Sequence, residues 1–272
     1  MSFSPPGVLD AEVIRLPGGG GALFTSRAHG NLSSVGGEHA EGGLQARERL
    51  REALGVRGFV RGYQVHGTVV GRVLSSGERL RLPGEPRHSD AGQGEQSVAA
   101  NDDLQQPPFE ADGHVTANDL PHPTFEADGH AVAAPALGAM VLTADCIPVV
   151  LGADGAVAAL HAGWRGLADG VLEEGVRALR DVGRRGEVVA IVGPCAGACC
   201  YEVGEEVHTA FGGARRKGRL IDLRAIAHER LLAAGVAEVR DVQACTICDE
   251  CYFSYRREGL RAGRQAGIAW LS

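Results

Sequence analysis

The stretch from Thr143 to Gly166 constrains this chain more than any other. Val141-Leu142 and then Ile147 to Leu151 are β-formers, Asp154-Gly155 is a strong hairpin signal, and a second apolar run leads to the glycine-rich exit His161-Ala-Gly-Trp-Arg-Gly166. If the two-residue loop is Ala153-Asp154, Cys146 lies opposite His161. If it is Asp154-Gly155, His161 lies opposite Pro148, one diagonal step from Cys146. Both registers put Cys146 and His161 on one face, because strand side chains alternate with period two. An odd loop would break that parity. A thiol and an imidazole within roughly 5–8 Å of each other suit metal binding or nucleophilic catalysis.

The chain has 272 residues, enough for one large domain or two small ones. Its 40 glycines imply many turns and places where backbone must approach backbone or ligand. A net charge of −7 disfavours a nucleic-acid partner. Lys217 is the only lysine and sits in the basic run Arg215-Arg216-Lys217-Gly218, which argues against Schiff-base chemistry. The seven cysteines are an odd count, and Met1-Ser-Phe-Ser-Pro-Pro-Gly7 has no charged region followed by an apolar run. A reducing, cytoplasmic setting is therefore expected. No apolar stretch reaches ~18 residues, so no transmembrane helix and no membrane partner are expected.

Along the chain, Val13 to Leu16 and Ala22 to Ser26 read as strands, and Leu44 to Leu54 as a helix stopped by Gly55. Phe59 to Val65 reads as a strand ending at His66-Gly67, and Thr68 to Leu74 as another. Residues 75–124 hold six prolines among many polar residues and read as a low-complexity surface insertion. Near its end, Pro107-Pro-Phe-Glu-Ala-Asp-Gly-His114 recurs as Pro123-Thr-Phe-Glu-Ala-Asp-Gly-His130, a local duplication. Only one copy can occupy a given place in a sheet, and His114 and His130 are expected in loops or on the surface. Leu167, Val171, Leu172, Val176 and Leu179 mark one amphipathic helix that Gly183 can end. Glu187 to Val192 is a strand, Gly193 to Gly204 a small-residue loop, and Glu205 to Phe211 a short helix. A helix opens at Leu220 and runs to about Ala234. Val236 to Val242 and a closing strand up to Leu271 complete an α/β (α+β) alternation.

Cys146 and His161 need a third ligand for a catalytic zinc with an open position. His66, at a strand end in Gln64-Val-His-Gly67, is the best candidate. Asp145 faces the opposite side in a regular strand and suits holding turn amides. Arg165, after a strand where a helix starts, suits an anion such as phosphate, and Trp164 suits core. Cys245-x-x-Cys248 with Cys251 could form a zinc knuckle if Cys195, Cys199 or Cys200 supplied a fourth ligand. Small buried core thiols are the plainer reading.

Gln64-Val-His-Gly67, Thr143-Ala-Asp-Cys146, His161 to Gly166, Gly193-Pro to Gly204, Cys245-Thr to Cys248 and Phe253-Ser-Tyr-Arg-Arg257 together resemble the YfiH-like family, also labelled polyphenol oxidase or laccase-domain. The resemblance runs from about Gly30-Asn31 to Trp270, apart from residues 75–124. It implies a single domain over residues 1–272, with a mixed β-sheet flanked by helices. It also implies zinc on His66, Cys146 and His161, and phosphorolysis of adenosine, inosine or guanosine to base and ribose 1-phosphate. Methylthioadenosine cleavage and adenosine deamination are also attributed to such proteins. The family's Glu-Ala-Asp-Ala-Leu-Val-Thr segment occurs here twice, at Glu110–Thr116 and Glu126–Val132, with Gly-His for Ala-Leu. Cys195 stands where a serine is more usual, and Cys251 is an extra thiol.

On that reading the partners are purine nucleosides and phosphate, with Arg165 as an anion contact and Asn31 and Gln64 as polar contacts. A copper oxidase is the second reading. Blue copper takes two histidines, a cysteine and a weak axial methionine, and the only methionines are Met1 and Met140. A cysteine hydrolase with Cys146 as nucleophile and His161 or His66 as base is the third, and it uses the same residues as the zinc site.

Overall fold

The computed structural model describes residues 13–33, 40–75, 79–80 and 126–272. Two mixed sheets stack face to face, with helices on their outer surfaces. The first runs β1 (Ile14–Arg15), β2 (Gly21–Phe24), β14 (Gln265–Trp270), β7 (Leu137–Thr143), β3 (Gly58–Val60). The second runs β13 (Glu238–Asp241), β10 (Arg185–Val192), β8 (Ile147–Asp154), β9 (Ala156–Ala162), β6 (Gly129–Val132), β4 (Val70–Val73), β5 (Arg79–Leu80). β11 (Arg216–Lys217) and β12 (Leu220–Ile221) form a separate ribbon.

Alternation along single strands builds the layers. In β7, Leu137, Ala139 and Val141 join Val150, Val157 and Ala159 of the larger sheet in the core between the sheets. Met140 and Leu142 point the other way, into a second core with Leu50 and Ala46 of α1 (Ala40–Leu54). The far face of the larger sheet, with Val149, Leu151, Ala158 and Leu160, packs against Leu172, Val176 and Leu179 of α3 (Val171–Asp181) and Ile226 and Leu231 of α5 (Leu223–Ala233). β8 and β9 are covered on both faces. This is why both read as nearly unbroken apolar runs and not as polar–apolar alternation.

The described architecture is the expected α/β class with one refinement: two stacked sheets replace a single one. Other expectations shift locally. The amphipathic segment after the hairpin is two helices, α2 (Trp164–Asp169) and α3, because Gly170 takes φ 103 between them. Leu220-Ile221 is strand, and α5 starts after it, with Asp222 as an N-cap accepting from the Ala225 amide. The strand expected over Phe59 to Val65 stops at Val60. Gly62 crosses so close to Ala127 that a Cβ there would lie 2.7 Å from the Ala127 carbonyl oxygen. Within the expected insertion, Arg79-Leu80 pairs with β4; residues 81–125, including the first copy of the repeat and His114, lie outside the described residues.

The second copy does enter the sheet. Its Gly129 and His130 open β6, parallel to β4 and antiparallel to β9. His130 is therefore buried, at 1% exposure, and not in a loop. The hairpin takes the Asp154-Gly155 loop: Pro148 pairs with His161 and Ala153 with Ala156, and Gly155 supplies the positive φ of 80.

Candidate metal centre

With that register, Cys146 at the entry of β8 and His161 in β9 share the face directed at the smaller sheet. Asp145 turns the chain just before Cys146, with φ 89, a region costly for a residue with a side chain. Its carboxylate holds the turn by accepting from Thr246 Oγ1 at 2.7 Å, Ser254 Oγ at 3.1 Å and the Arg256 amide at 2.7 Å. Of the turn amides expected for Asp145, its carboxylate takes one, that of Arg256, together with two hydroxyls.

His66 arrives from another direction, also with positive φ, at 62. Asp128 holds it there. The Asp128 carboxylate accepts from three successive amides, Val65 at 3.2 Å, His66 at 2.9 Å and Gly67 at 2.7 Å. The same carboxylate lies 2.8 Å from His161 Nδ1. An ionised carboxylate only accepts, so Nδ1 carries the proton and the Nε2 lone pair is left for the site. Asp128 is fully buried and fixes two of the three candidate ligands at once.

The outcome is a tight cluster. His66 Nε2 lies 3.7 Å from Cys146 Sγ, and the two imidazole rings meet edge to face with centroids 4.8 Å apart. One ligand atom from each of His66, Cys146 and His161 lies within 4.8 Å of the others. The glycines of His161-Ala-Gly-Trp-Arg-Gly166 make this possible. A Cβ on Gly163 would lie 2.4 Å from His66 Cδ2, and one on Gly166 2.6 Å from the Gly67 carbonyl oxygen.

Electrostatics agree with the geometry. Burial alone would raise the Cys146 thiol, but the charge of His161 and hydrogen bonds from His161 and His66 bring it down to about 6. Burial would lower His161, but the Cys146 charge and the bond to Asp128 bring it up to about 9. Burial likewise opposes ionisation of Asp128, yet His161 and the Gly67 and Val65 amides hold it below the ordinary carboxylate value. Without metal, both shifts favour a thiolate beside an imidazolium. In chelator-treated protein, Cys146 should be alkylated by iodoacetamide at half its plateau rate near pH 6, because the thiolate is the nucleophile. Buried Cys195, pushed up to about 11, should stay unlabelled at neutral pH. Mass spectrometry of both peptides over a pH series checks this, and Cys146 labelling confined to pH above 8 would contradict it.

Of the other residues singled out in the sequence, Gln64 and Asn31 are bonded to main chain, while Arg165 and Trp164 sit at the expected helix start and against the core. Gln64 spends both ends of its amide on Leu142, donating to its carbonyl and accepting from its amide, each at 2.8 Å. Asn31 Oδ1 accepts from the amides of Ser33 at 3.0 Å and Arg264 at 2.8 Å. These side chains brace the main chain. Arg165 is exposed at the start of α2, its guanidinium 4.4 Å above the Trp164 ring. Trp164 is half-buried against the core.

Two groups that sequence reasoning missed feel the charge of Cys146. Arg264 is half-buried, its pKa lowered by burial and supported by the charges of Cys146 and Asp145. Tyr201 is half-buried and its phenol is raised, first by burial and then by the Cys146 charge; Arg256 covers its ring at 4.8 Å. Tyr201 lies in the Cys-Tyr-Glu-Val segment noted above, which was the available signal. Arg264, in Arg261-Ala-Gly-Arg264, had none.

Fold and site together define an α/β protein with a candidate metal centre of two imidazoles and a thiol. Residues 19–272 match the family described as multi-copper polyphenol oxidoreductase laccase, and the chain belongs to that family. It is 36% identical over 287 residues to a protein of Xylella fastidiosa (strain Temecula1) named purine nucleoside phosphorylase, across 98% of this chain and 94% of that one. It is 40% identical over 144 residues to purine nucleoside phosphorylase YfiH of Escherichia coli (strain K12), a match spanning 48% of this chain and 58% of that protein. Among solved structures, Neisseria meningitidis protein NMB0706 superimposes with a TM-score of 0.68 at 26% identity, over 97% of this chain and 99% of that one. No described helix is long and apolar enough to cross a membrane.

Proposed function

We propose that the protein is a zinc-dependent purine nucleoside phosphorylase, converting adenosine, inosine or guanosine and phosphate to the free base and ribose 1-phosphate. The observation that carries this is the convergence of His66, Cys146 and His161, each tied to the fold by Asp128 or Asp145. The names of the relatives supply the substrate class.

The donor set fits zinc. Two neutral imidazoles and a thiolate make three protein ligands. A blue-copper centre would want an axial methionine, and Met140 is buried with Leu50 and Ala46 on the α1 side of the smaller sheet. Zinc held there would supply a Lewis acid with one open coordination position.

Phosphorolysis forms a bond from a phosphate oxygen to the anomeric carbon. It breaks the bond from that carbon to the purine nitrogen, and the base leaves with the electron pair and takes up a proton. Positive charge grows on the sugar, so the anionic nucleophile must be held in place. Arg264, a half-buried cation within the charge field of Cys146, whose Nη1 donates to the Ala262 and Gly263 carbonyls, is the phosphate contact, and Asn31 positions its backbone. Arg165, exposed at the start of α2, is a second anion contact, and Gln64 holds the strand end before Cys146 through Leu142. Tyr201 offers an aromatic face for the purine.

One observation favours a second reading. His66 Nε2 lies 3.7 Å from Cys146 Sγ, and the lowered thiol beside the raised His161 suits a nucleophilic thiolate paired with an imidazolium. A chelator separates the two: it should abolish nucleoside cleavage if the residues are ligands and spare it if Cys146 attacks substrate. Deamination of adenosine would need a carboxylate free to move protons, whereas Asp128 is fully engaged.

The test is incubation with adenosine, inosine and guanosine, with and without phosphate, read by chromatography. Base and ribose 1-phosphate should form only when phosphate is present. Phosphate-independent base release, or no turnover of any of the three, would overturn the proposal. Ammonia from adenosine would add the deaminase branch.

A further inference from the structure

Four of the seven cysteines gather away from the site just described. Cys195 is buried under Arg224, and Cys251 is exposed. Cys199, Cys200, Cys245 and Cys248 place their sulfurs within 4.8 Å of one another. Cys200 Sγ lies 3.5 Å from Cys199, 3.4 Å from Cys245 and 3.2 Å from Cys248, and Cys199 lies 3.5 Å from Cys248. The plainer expectation of buried core thiols holds for Cys195 alone, since Cys199, Cys248 and Cys251 are exposed; the alternative knuckle of Cys245, Cys248 and Cys251 gives way to two cysteines from each of two loops.

A disulfide would bring sulfurs together in pairs, about 2.05 Å apart. Here one sulfur touches all three others, which is convergence on a centre. Four thiolates around zinc at about 2.3 Å form a tetrahedron with edges of about 3.8 Å. The four closest separations, 3.2–3.5 Å, fall a few tenths of an ångström inside that edge, and all four sulfurs stay within 4.8 Å of one another. The Gly197 amide points at Cys245 Sγ, 3.2 Å away, as a donor to a thiolate. A Cβ on Gly197 would stand 3.2 Å from both Cys199 Sγ and Cys245 Sγ, so glycine is what lets that amide approach. Both loops are built to present their sulfurs. The Cys200 and Tyr201 amides turn back to the Gly197 carbonyl, and the Asp249 amide closes the Cys-x-x-Cys turn on the Cys245 carbonyl.

The geometry points to a second metal site, a closed four-cysteine zinc that is structural where the first is open. It staples the loop at 195–201 to the loop at 245–249, which already meet through the Thr246 amide and the Cys195 carbonyl at 3.0 Å. Both loops hold Asp145: the Ala196 amide donates to its carbonyl at 2.9 Å, and Thr246 Oγ1 to its carboxylate. An ion bound there locks the turn that presents Cys146. The site stands on its own sulfurs, independently of any nucleoside chemistry.

The test uses the full-length His161→Ala variant, which lacks a ligand of the first centre. Metal analysis after dialysis should find one zinc per chain in the variant, a stoichiometric amount that the further substitution Cys248→Ser removes. Cobalt in place of zinc should give the intense visible bands and sulfur-to-metal charge transfer of a tetrahedral thiolate site. This reading decides the matter alone if the double variant fails to fold. A His161→Ala protein without tightly bound metal would overturn the inference. So would thiol titration showing Cys199, Cys200, Cys245 and Cys248 as disulfides, or iron with acid-labile sulfide in place of zinc.

Discussion

Replacing Cys146 with alanine should reduce phosphate-dependent nucleoside cleavage by about 10³-fold, because a metal's charge stabilisation amounts to several kcal/mol and each ~1.4 kcal/mol is tenfold in rate. The substitution removes the only anionic ligand of the proposed centre, leaving His66 and His161 to hold an ion alone. Zinc at this centre should fall with activity, while thermal stability should change little. Cys146 is half-buried at the strand entry, and the turn before it is held by Asp145. Kinetics with inosine, metal analysis and thermal melting on one preparation check all three. Retained metal with lost activity would instead favour Cys146 as a nucleophile.

The second large effect is expected at Asp128. Asparagine there should cost about 10–100-fold in metal affinity, the usual toll when the group behind a ligating histidine is removed. It should also destabilise the fold by about 2–3 kcal/mol, because charge-assisted bonds in a buried network are lost or inverted. The asparagine NH2 cannot accept from the amides of Val65, His66 and Gly67 as two carboxylate oxygens do. The pH dependence has a definite sign. Asp128 is held below the ordinary carboxylate value in the folded chain. Its stabilisation is therefore complete above the unfolded pKa and is lost as pH falls through the folded one. Denaturation of wild type and variant at neutral pH and in acid should show a gap that narrows in acid; a constant gap would contradict this account.

The contrast between Cys146 and Asp128 indicates what could be read from the chain. The shared face of Cys146 and His161 follows from period-two alternation and an even loop, so it was legible locally, and the Asp154-Gly155 register is the one found. His66 was legible only as a histidine before a glycine. What places it is a carboxylate 62 residues later in sequence, just before β6, the strand that pairs with β4 after His66. Asp128 itself lay hidden in a duplicated segment, where nothing local distinguishes the copy that enters the sheet. Gln64 and Asn31 look like substrate ligands by residue type, yet their amides satisfy main-chain groups at strand ends. The break at Gly170 was readable in principle, since glycine in an amphipathic run weakens the helix and can cap it. The four-cysteine grouping needed the parallel bridge between Cys195 and Cys245, a tertiary contact that no spacing rule predicts.

The central claim is that His66, Cys146 and His161 hold one metal ion. Anomalous diffraction at the zinc edge from crystals of the untreated protein tests it most directly. A peak should lie about 2.0–2.3 Å from His66 Nε2, Cys146 Sγ and His161 Nε2. Density at the four cysteines but none among these three residues would contradict the claim.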